Sequence, residues 1–224
     1  MSHRGTWDDV AAPASGRQVE SGTALLAVAF VIAVGLVVAC VLVLLGTSES
    51  RVAAAHREGL EARYAAESAL DRALLDLRAL ASWDDVLAGY QTGSITVGGP
   101  VLTAGGTAVD IAVETARVQA ATDARPGHGP NTPRWQVFLW GSLRDLLPVT
   151  AELDSALVVI AWVADDEAEV DANPQGDGNQ AVWVHAAAFG PGGTCRRVEA
   201  LVARSAPAPA PLRRLTWRGR ALGD

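Results

Sequence analysis

Residues 23–46 read TALLAVAFVIAVGLVVACVLVLLG, 24 positions without a charge. As a helix rising about 1.5 Å per residue, the run spans roughly 36 Å, enough to cross a hydrocarbon core about 30 Å thick. Fifteen of these residues are Leu, Ile, Val or Phe. At roughly 0.3–0.6 kcal/mol each, they favour insertion into a bilayer by several kcal/mol. A helix apolar on every face for this length has no polar side to turn to water, so the chain is expected to carry a membrane anchor. The rival is a cleaved signal sequence, whose apolar region covers about 7–15 residues and ends in small residues. Here the run is longer, and Ser48, Glu49, Ser50 and Arg51 lead straight into a helical pattern, so retention is expected.

That pattern is ESRVAAAHREGLEARYAAESALDRALLDLRAL, residues 49–80. Leu60, Tyr64, Leu70, Leu74 and Leu77 fall within one broad face at helical spacing. Opposite charges stand four apart, Arg63 with Glu67 and Arg72 with Asp76, where they support a helix. Only Gly59 interrupts the propensity, and no proline separates this stretch from the anchor. The simplest expectation is one continuous helix of about fifty residues, running from the anchor (23–46) into the stem (47–82). Those five apolar residues would pack its second half onto a head.

Beyond residue 80 the period changes from 3.6 to 2. Residues 94–103 and 107–118 are predicted strands, the second alternating Val109, Ile111 and Val113 with Asp110 and Glu114. Residues 134–142 form another, and ALVVIAWVA (156–164) suits a central strand. Residues 181–189 and 194–205 make a last pair across Gly190, Pro191, Gly192 and Gly193. Residues 123–133 are a Gly/Pro-rich loop. The fold class expected is α+β, the long N-terminal helix packed on an antiparallel head at 83–205. In the tail, 206–224, APAPAPL is an extended spacer of polyproline character outside the core, followed by four arginines.

Net charge is −7, and residues 81–204 hold seven arginines against fifteen acidic residues. Such a head disfavours nucleic acid, which needs a basic stripe to neutralise phosphates. Of the two cysteines, Cys40 lies inside the anchor and Cys195 far outside it, so no internal disulfide is expected. The four histidines (His3, His56, His128, His185) make no zinc-spaced cluster. No nucleophile elbow, phosphate loop or dinucleotide fingerprint occurs, and the expectation is a protein that is not an enzyme.

One stretch between strands concentrates oxygen ligands: Asp165, Asp166, Glu167, Glu169, then Asp171 to Asn179. Asp171-x-Asn173-x-Gln175-Gly176 echoes the start of a calcium loop, where hard oxygens alternate before a turn-forming glycine. Asp165, Asp171, Asn173 and Asp177 are the candidate calcium ligands. Against this, Pro174 stiffens the loop and Val182 stands where a bidentate glutamate belongs, so a solvated acidic turn is the alternative.

Glu20-Ser21-Gly22 before Thr23-Ala24-Leu25-Leu26, then the anchor, then Tyr64-Ala65-Ala66-Glu67-Ser68-Ala69-Leu70 resembles the PilX-type pilus-assembly proteins, minor pilins of type IV pilus machinery. The layout is also similar to the K-type minor pseudopilin of type II secretion. Residues 83–89 and 188–193 resemble PilX-type chains too, while the rest of the head is only loosely similar. The resemblance implies a pilin-like fold and a cytoplasmic leader (1–22) that a prepilin peptidase cuts between Gly22 and Thr23, with Gly16 as the alternative. It implies a single pass through the inner membrane with the head outside the cytoplasm. The partners implied are other pilins or minor pilins, met through the N-terminal helix, in a subunit that primes or caps a filament. Major subunits carry a glutamate at the fifth mature position; counted from Thr23 that place is Ala27, which suits a filament tip. A single-pass adhesin or receptor outside any filament shares the same anchor and head.

Overall fold

Helix α1 (Arg17–Ala79) takes in the apolar run and the alanine-rich stem as one element of 63 residues. The computed structural model describes residues 17–125, 131–147, 154–205 and 211–220, with side chains from 22 to 219. The alternative cleavage position Gly16 and most of the leader lie outside the described residues, as do 126–130 of the predicted loop and 206–210 of the Pro-rich stretch. The chain divides into two units, residues 1–54 and 55–224. In the first, the side chains of residues 22–54 are exposed all round the helix. Among the described residues, α1 is the one helix long and apolar enough to cross a membrane.

The second unit is built on a five-stranded antiparallel sheet. Its strands are β3 (Gln136–Ser142), β4 (Val158–Asp165), β5 (Ala181–Phe189), β6 (Cys195–Arg204) and β7 (Leu212–Arg220), adjacent in that order. Both faces are covered. Val159, Ala161 and Val163 of β4 join Val182, Val184 and Ala186 of β5 in a cluster with the stem. Ile160, Trp162 and Ala164 point the other way, into a cluster with Ile111, Val118, Leu102 and Val109. A strand buried on both faces needs no polar alternation, which is why β4 reads as one unbroken apolar word. The α+β class is as expected.

Past the stem a short helix, α2 (Asp84–Leu87), adds Val86 and Leu87 to the cluster on the first face. The second face is closed by a hairpin, β1 (Val101–Ala104) with β2 (Thr107–Asp110), and by helix α3 (Ile111–Asp123). The predicted strand over 107–118 is therefore wrong after Asp110. The Asp110 carboxylate accepts hydrogen bonds from the Ala112 and Val113 amides at 2.9 and 3.1 Å, an N-cap that starts a helix there. Ile111, Glu114, Val118 and Thr122 are its buried residues, spaced three and four apart. The alternation of Val109, Ile111 and Val113 was too short to outweigh that spacing. Of residues 94–100, only Thr96 bridges a strand, against Trp140 on the outer edge of β3. The tail also differs from expectation: once past the prolines, residues 212–220 pair along β6 as the fifth strand. Charged side chains suit such an edge.

Candidate functional site

The stem reaches the sheet through small residues. Ala62, Ala65, Ala66, Ala69 and Ala73 are buried together with Leu70 and Leu77 in the first core cluster, and Leu74 packs partly against it. Leu60 and Tyr64 do not pack there, a correction to the predicted face: they stand 40% and 64% exposed. Two residues along a helix is about 200° of rotation, so both point away from the side that Ala62 presents. An alanine stripe lets the helix backbone approach the sheet closely. At Gly59 an added Cβ would lie 2.8 Å from Nη2 of Arg196, so this glycine leaves room for an arginine of β6 to cross the helix.

The end of α1 is held from two sides. The Leu77 carbonyl accepts the Trp83 indole N–H at 3.0 Å. Arg204, at the end of β6, donates to the Leu80 and Ala81 carbonyls at 2.7 and 2.9 Å, and its guanidinium lies 4.4 Å over the Trp83 ring. Carbonyls left over at a helix C-terminus need donors, and a cation is favourable there. Asp76 accepts from both the backbone N–H and the hydroxyl of Ser94 at 2.8 Å, tying the stem to the segment that covers the edge of β3.

The acidic stretch splits into two parts. Asp171 and Asn173 are exposed and form successive turns, each carboxylate or amide oxygen accepting an amide two residues on. Asp177 accepts from the Ala181 amide at 3.2 Å and from Gln180 at 3.3 Å. Burial pushes its carboxyl up to about 6, in spite of those hydrogen bonds and the charge of Arg204. Asp165, delivered by the end of β4, instead gathers with Asp166 and Glu169: all three are buried, with ligand oxygens within 4.8 Å of one another. Of the four predicted ligands, only Asp165 stands in this group. Asp166 accepts the Asn179 side-chain amide at 2.7 Å, and Glu169 accepts the backbone amides of Gly178 and Asn179 at 2.8 and 2.7 Å. The buried Asn131 donates to the Asp165 carboxylate and, at 3.0 Å, to the Asp166 carbonyl. Burial first, opposed by the Asn131 hydrogen bond and reinforced by Glu169, leaves the Asp165 carboxyl at about 7. Asp166 and Glu169 lay within the oxygen-rich stretch that the sequence marks, but the calcium-loop spacing there pointed to other residues. Asn131 lies 34 positions away in a loop and carried none.

On the sheet face covered by α3, Glu199 accepts from His185 at 3.2 Å and Arg125 at 3.4 Å. His185 sits between Trp135 and Trp162, each ring centroid 5.6 Å away. Burial raises the Glu199 carboxyl, but the His185 and Arg125 partners outweigh it and hold it at about 2. Burial pushes the Cys195 thiol up to about 11, so it is inert at neutral pH, and both cysteines are free as expected.

A cavity of about 880 Å³ opens between α3 and the N-terminal end of β3, lined by Pro100, Ile111, Ala116, Trp135, Val137 and Trp140 among others. The buried Trp140 indole nitrogen has no hydrogen-bond partner. No protein-family model, no curated protein and no solved structure matches this chain.

Proposed function

We propose that this chain is a pilin-like structural subunit: a minor pilin held in the inner membrane by residues 23–46, with its head outside the cytoplasm, taking part in priming or capping a type IV pilus. The observation that carries the reading is α1, one helix whose apolar part buries nothing in the chain while its stem part packs on an antiparallel sheet. A helix so divided gives neighbouring subunits an apolar surface to pack against within the membrane, while its own head fixes the other half. In this reading a prepilin peptidase removes residues 1–22, other pilins or minor pilins meet the chain through α1, and the work done is assembly rather than catalysis. A K-type pseudopilin of a secretion system would share every one of these features.

N-terminal sequencing of the mature protein from its native host tests the proposal. The expected first residue is Thr23, and Gly22→Glu should leave a longer precursor. A mature chain that still begins at Met1 or Ser2 would overturn it. The second reading, an anchored adhesin or receptor that never enters a filament, is favoured by the apolar cavity beside Trp135 and Trp140, whose size suits a small ligand. It requires no cut at Gly22, so the same sequencing separates the two.

A further inference from the structure

Helix α3 leaves a trough beside the sheet because its residues on that side are small. Ala112 and Ala116, one turn apart, line one wall of the cavity of about 880 Å³, and Val137 and Trp140 of β3 line the other. Both alanines are exposed and both β3 side chains only half-buried, so apolar walls stand open to water. The trough also has a direction. At one end the Ile111 amide donates to the Pro100 carbonyl at 2.9 Å. At the other, the Gln119 side chain accepts from the Trp135 amide and donates to the Pro133 carbonyl, both at 3.0 Å, which sets Arg134 beside it. From Ile111 to Gln119 is about 12 Å of helix.

Among the described residues that line the cavity, Arg134 alone is charged. Its ion pair, with Asp123, is stretched to 4.0 Å, and both side chains are about half exposed. Thr115 is already engaged: its hydroxyl donates to the Ile111 carbonyl at 2.7 Å and accepts the Trp162 indole N–H at 2.8 Å. The Trp140 indole nitrogen is enclosed by protein, so that ring offers the cavity carbon rather than a donor. The result is an apolar trough with one positive end, on a head where residues 81–204 hold seven arginines against fifteen acidic residues.

We propose that this cavity binds a single-chain fatty acid, its carboxylate against Arg134 and its alkyl chain laid along α3 towards Ile111 and Pro100. The guanidinium fork matches a carboxylate with two parallel hydrogen bonds. Each methylene taken out of water along the trough adds affinity, whereas a single ring would leave much of the length unfilled. The volume lies in the range of sites that enclose molecules of this size. The proposal gives a ligand class to the cavity that favours the receptor reading. Neither Gly22 nor the anchor enters the argument, so sequencing of the mature N-terminus and the test below fail separately.

The test irradiates the full chain in detergent with a ten-carbon fatty acid carrying a diazirine at its far end, and locates the labelled residues by peptide mass spectrometry. The expected result is saturable labelling within 98–100, 111–116 or at Trp140. Decanoate should compete about tenfold more strongly than decanol, which has the same chain and no charge. Arg134→Gln should remove that difference, and Ala116→Phe, which fills the trough, should cut the labelling severalfold. Labels confined to residues 23–46, where an apolar reagent collects with the micelle, overturn the proposal. So does labelling of the cavity that decanol, or the single-ring acid phenylacetate, competes as well as decanoate does. Should Ala116→Phe fail to fold, Arg134→Gln decides alone, since that side chain is exposed. A preference for decanoate over decanol that survives in Arg134→Gln sinks the site.

Discussion

Between Leu25 and Leu45 every large apolar side chain of α1 stands open, Leu25 at 73% and Phe30 at 70% exposure, whereas on the stem Ala62, Ala66, Leu70 and Leu77 are closed against the sheet. The two stretches share one secondary structure and differ in composition in an instructive direction. The exposed half is rich in valine, a poor helix former in water, while the packed half is rich in alanine, the best. Helical propensity therefore does not choose which half meets the protein. What decides is whether a polar back exists. The stem has Arg57, Glu58, Arg63 and Arg78 to turn outward, whereas residues 23–46 have no charged residue. In hydrocarbon a helix is favoured regardless of propensity, because every backbone group must be satisfied internally.

The strongest way to break this contrast is to give the anchor the polarity it lacks. Val34→Asp together with Val38→Asp, near the middle of the run, should cost about 5–7 kcal/mol of insertion. That is as large as the several kcal/mol the segment gains. Alkaline extraction of membranes should then move the chain from pellet to supernatant. If the double variant stays with the membrane, residues 23–46 are not what holds it there.

The next largest effect belongs to the stem. Leu70→Ala should destabilise the head by about 2–5 kcal/mol, the usual cost of a leucine truncated in a close-packed core. Tyr64→Ala, on the outward face, should change it by no more than about 0.5 kcal/mol. Denaturant unfolding in detergent, followed by tryptophan fluorescence, measures both. Equal losses would show that the stem touches the sheet through a broader face than the alanine stripe.

The error over Leu60 and Tyr64 has the same root. Large apolar residues dominate a periodicity count, and alanine, near neutral in such a count, marks the contact where the backbones approach closest. The long apolar helix, its continuation into the stem and the β5–β6 hairpin were legible because each is long and periodic, or bounded by a strong turn. Helix α3 was not, since its register depends on one capping carboxylate, Asp110, sitting at the end of an alternating stretch. β7 was obscured by the prolines before it; its pairing is supplied by β6, which no local pattern within 212–220 announces. At the acidic cluster, spacing within the loop suggested Asp171, Asn173 and Asp177. The actual grouping follows from where β4 ends and from a loop brought in from far along the chain.

A third, somewhat smaller effect separates head from anchor by pH. Glu199 is held at about 2, below its ordinary 4.5. A carboxyl lowered in the folded state adds stability above its unfolded value and loses it as pH falls towards the folded one. The window is therefore pH 4.5 down to about 2. Glu199→Gln removes this dependence while keeping the shape, so the wild type's advantage should fall by an amount on the order of 3 kcal/mol across that window. Comparing the two proteins cancels the contribution of every other carboxylate. Membrane extraction should be unchanged in the variant. Parallel unfolding curves at every pH would show that His185 and Arg125 do not hold this carboxylate ionised.

The smallest effect expected lies where β7 meets the stem, at the ion pair of Arg214 with Asp71. Both side chains remain largely in water, at 45% and 60% exposure. Exposed pairs of this kind gain little, because water already solvates each charge and two side chains must be ordered to bring them together. Arg214 has a second contact, its guanidinium lying 5.1 Å over the Trp217 ring, so Arg214→Ala alone would mix two interactions. A double-mutant cycle of Arg214→Ala and Asp71→Ala isolates the pair. The coupling should be below about 1 kcal/mol. It should shrink towards zero in about 1 M salt, where the screening length falls to about 3 Å. The ring contact depends less on salt and should survive as a residual cost of Arg214→Ala when Asp71 is already alanine. A coupling above about 2 kcal/mol, or one that salt leaves unchanged, would place the pair in a drier setting than its exposure indicates. The edge strand would then fasten the stem about as firmly as Leu70 does, and the alanine stripe would no longer be the main contact between helix and sheet.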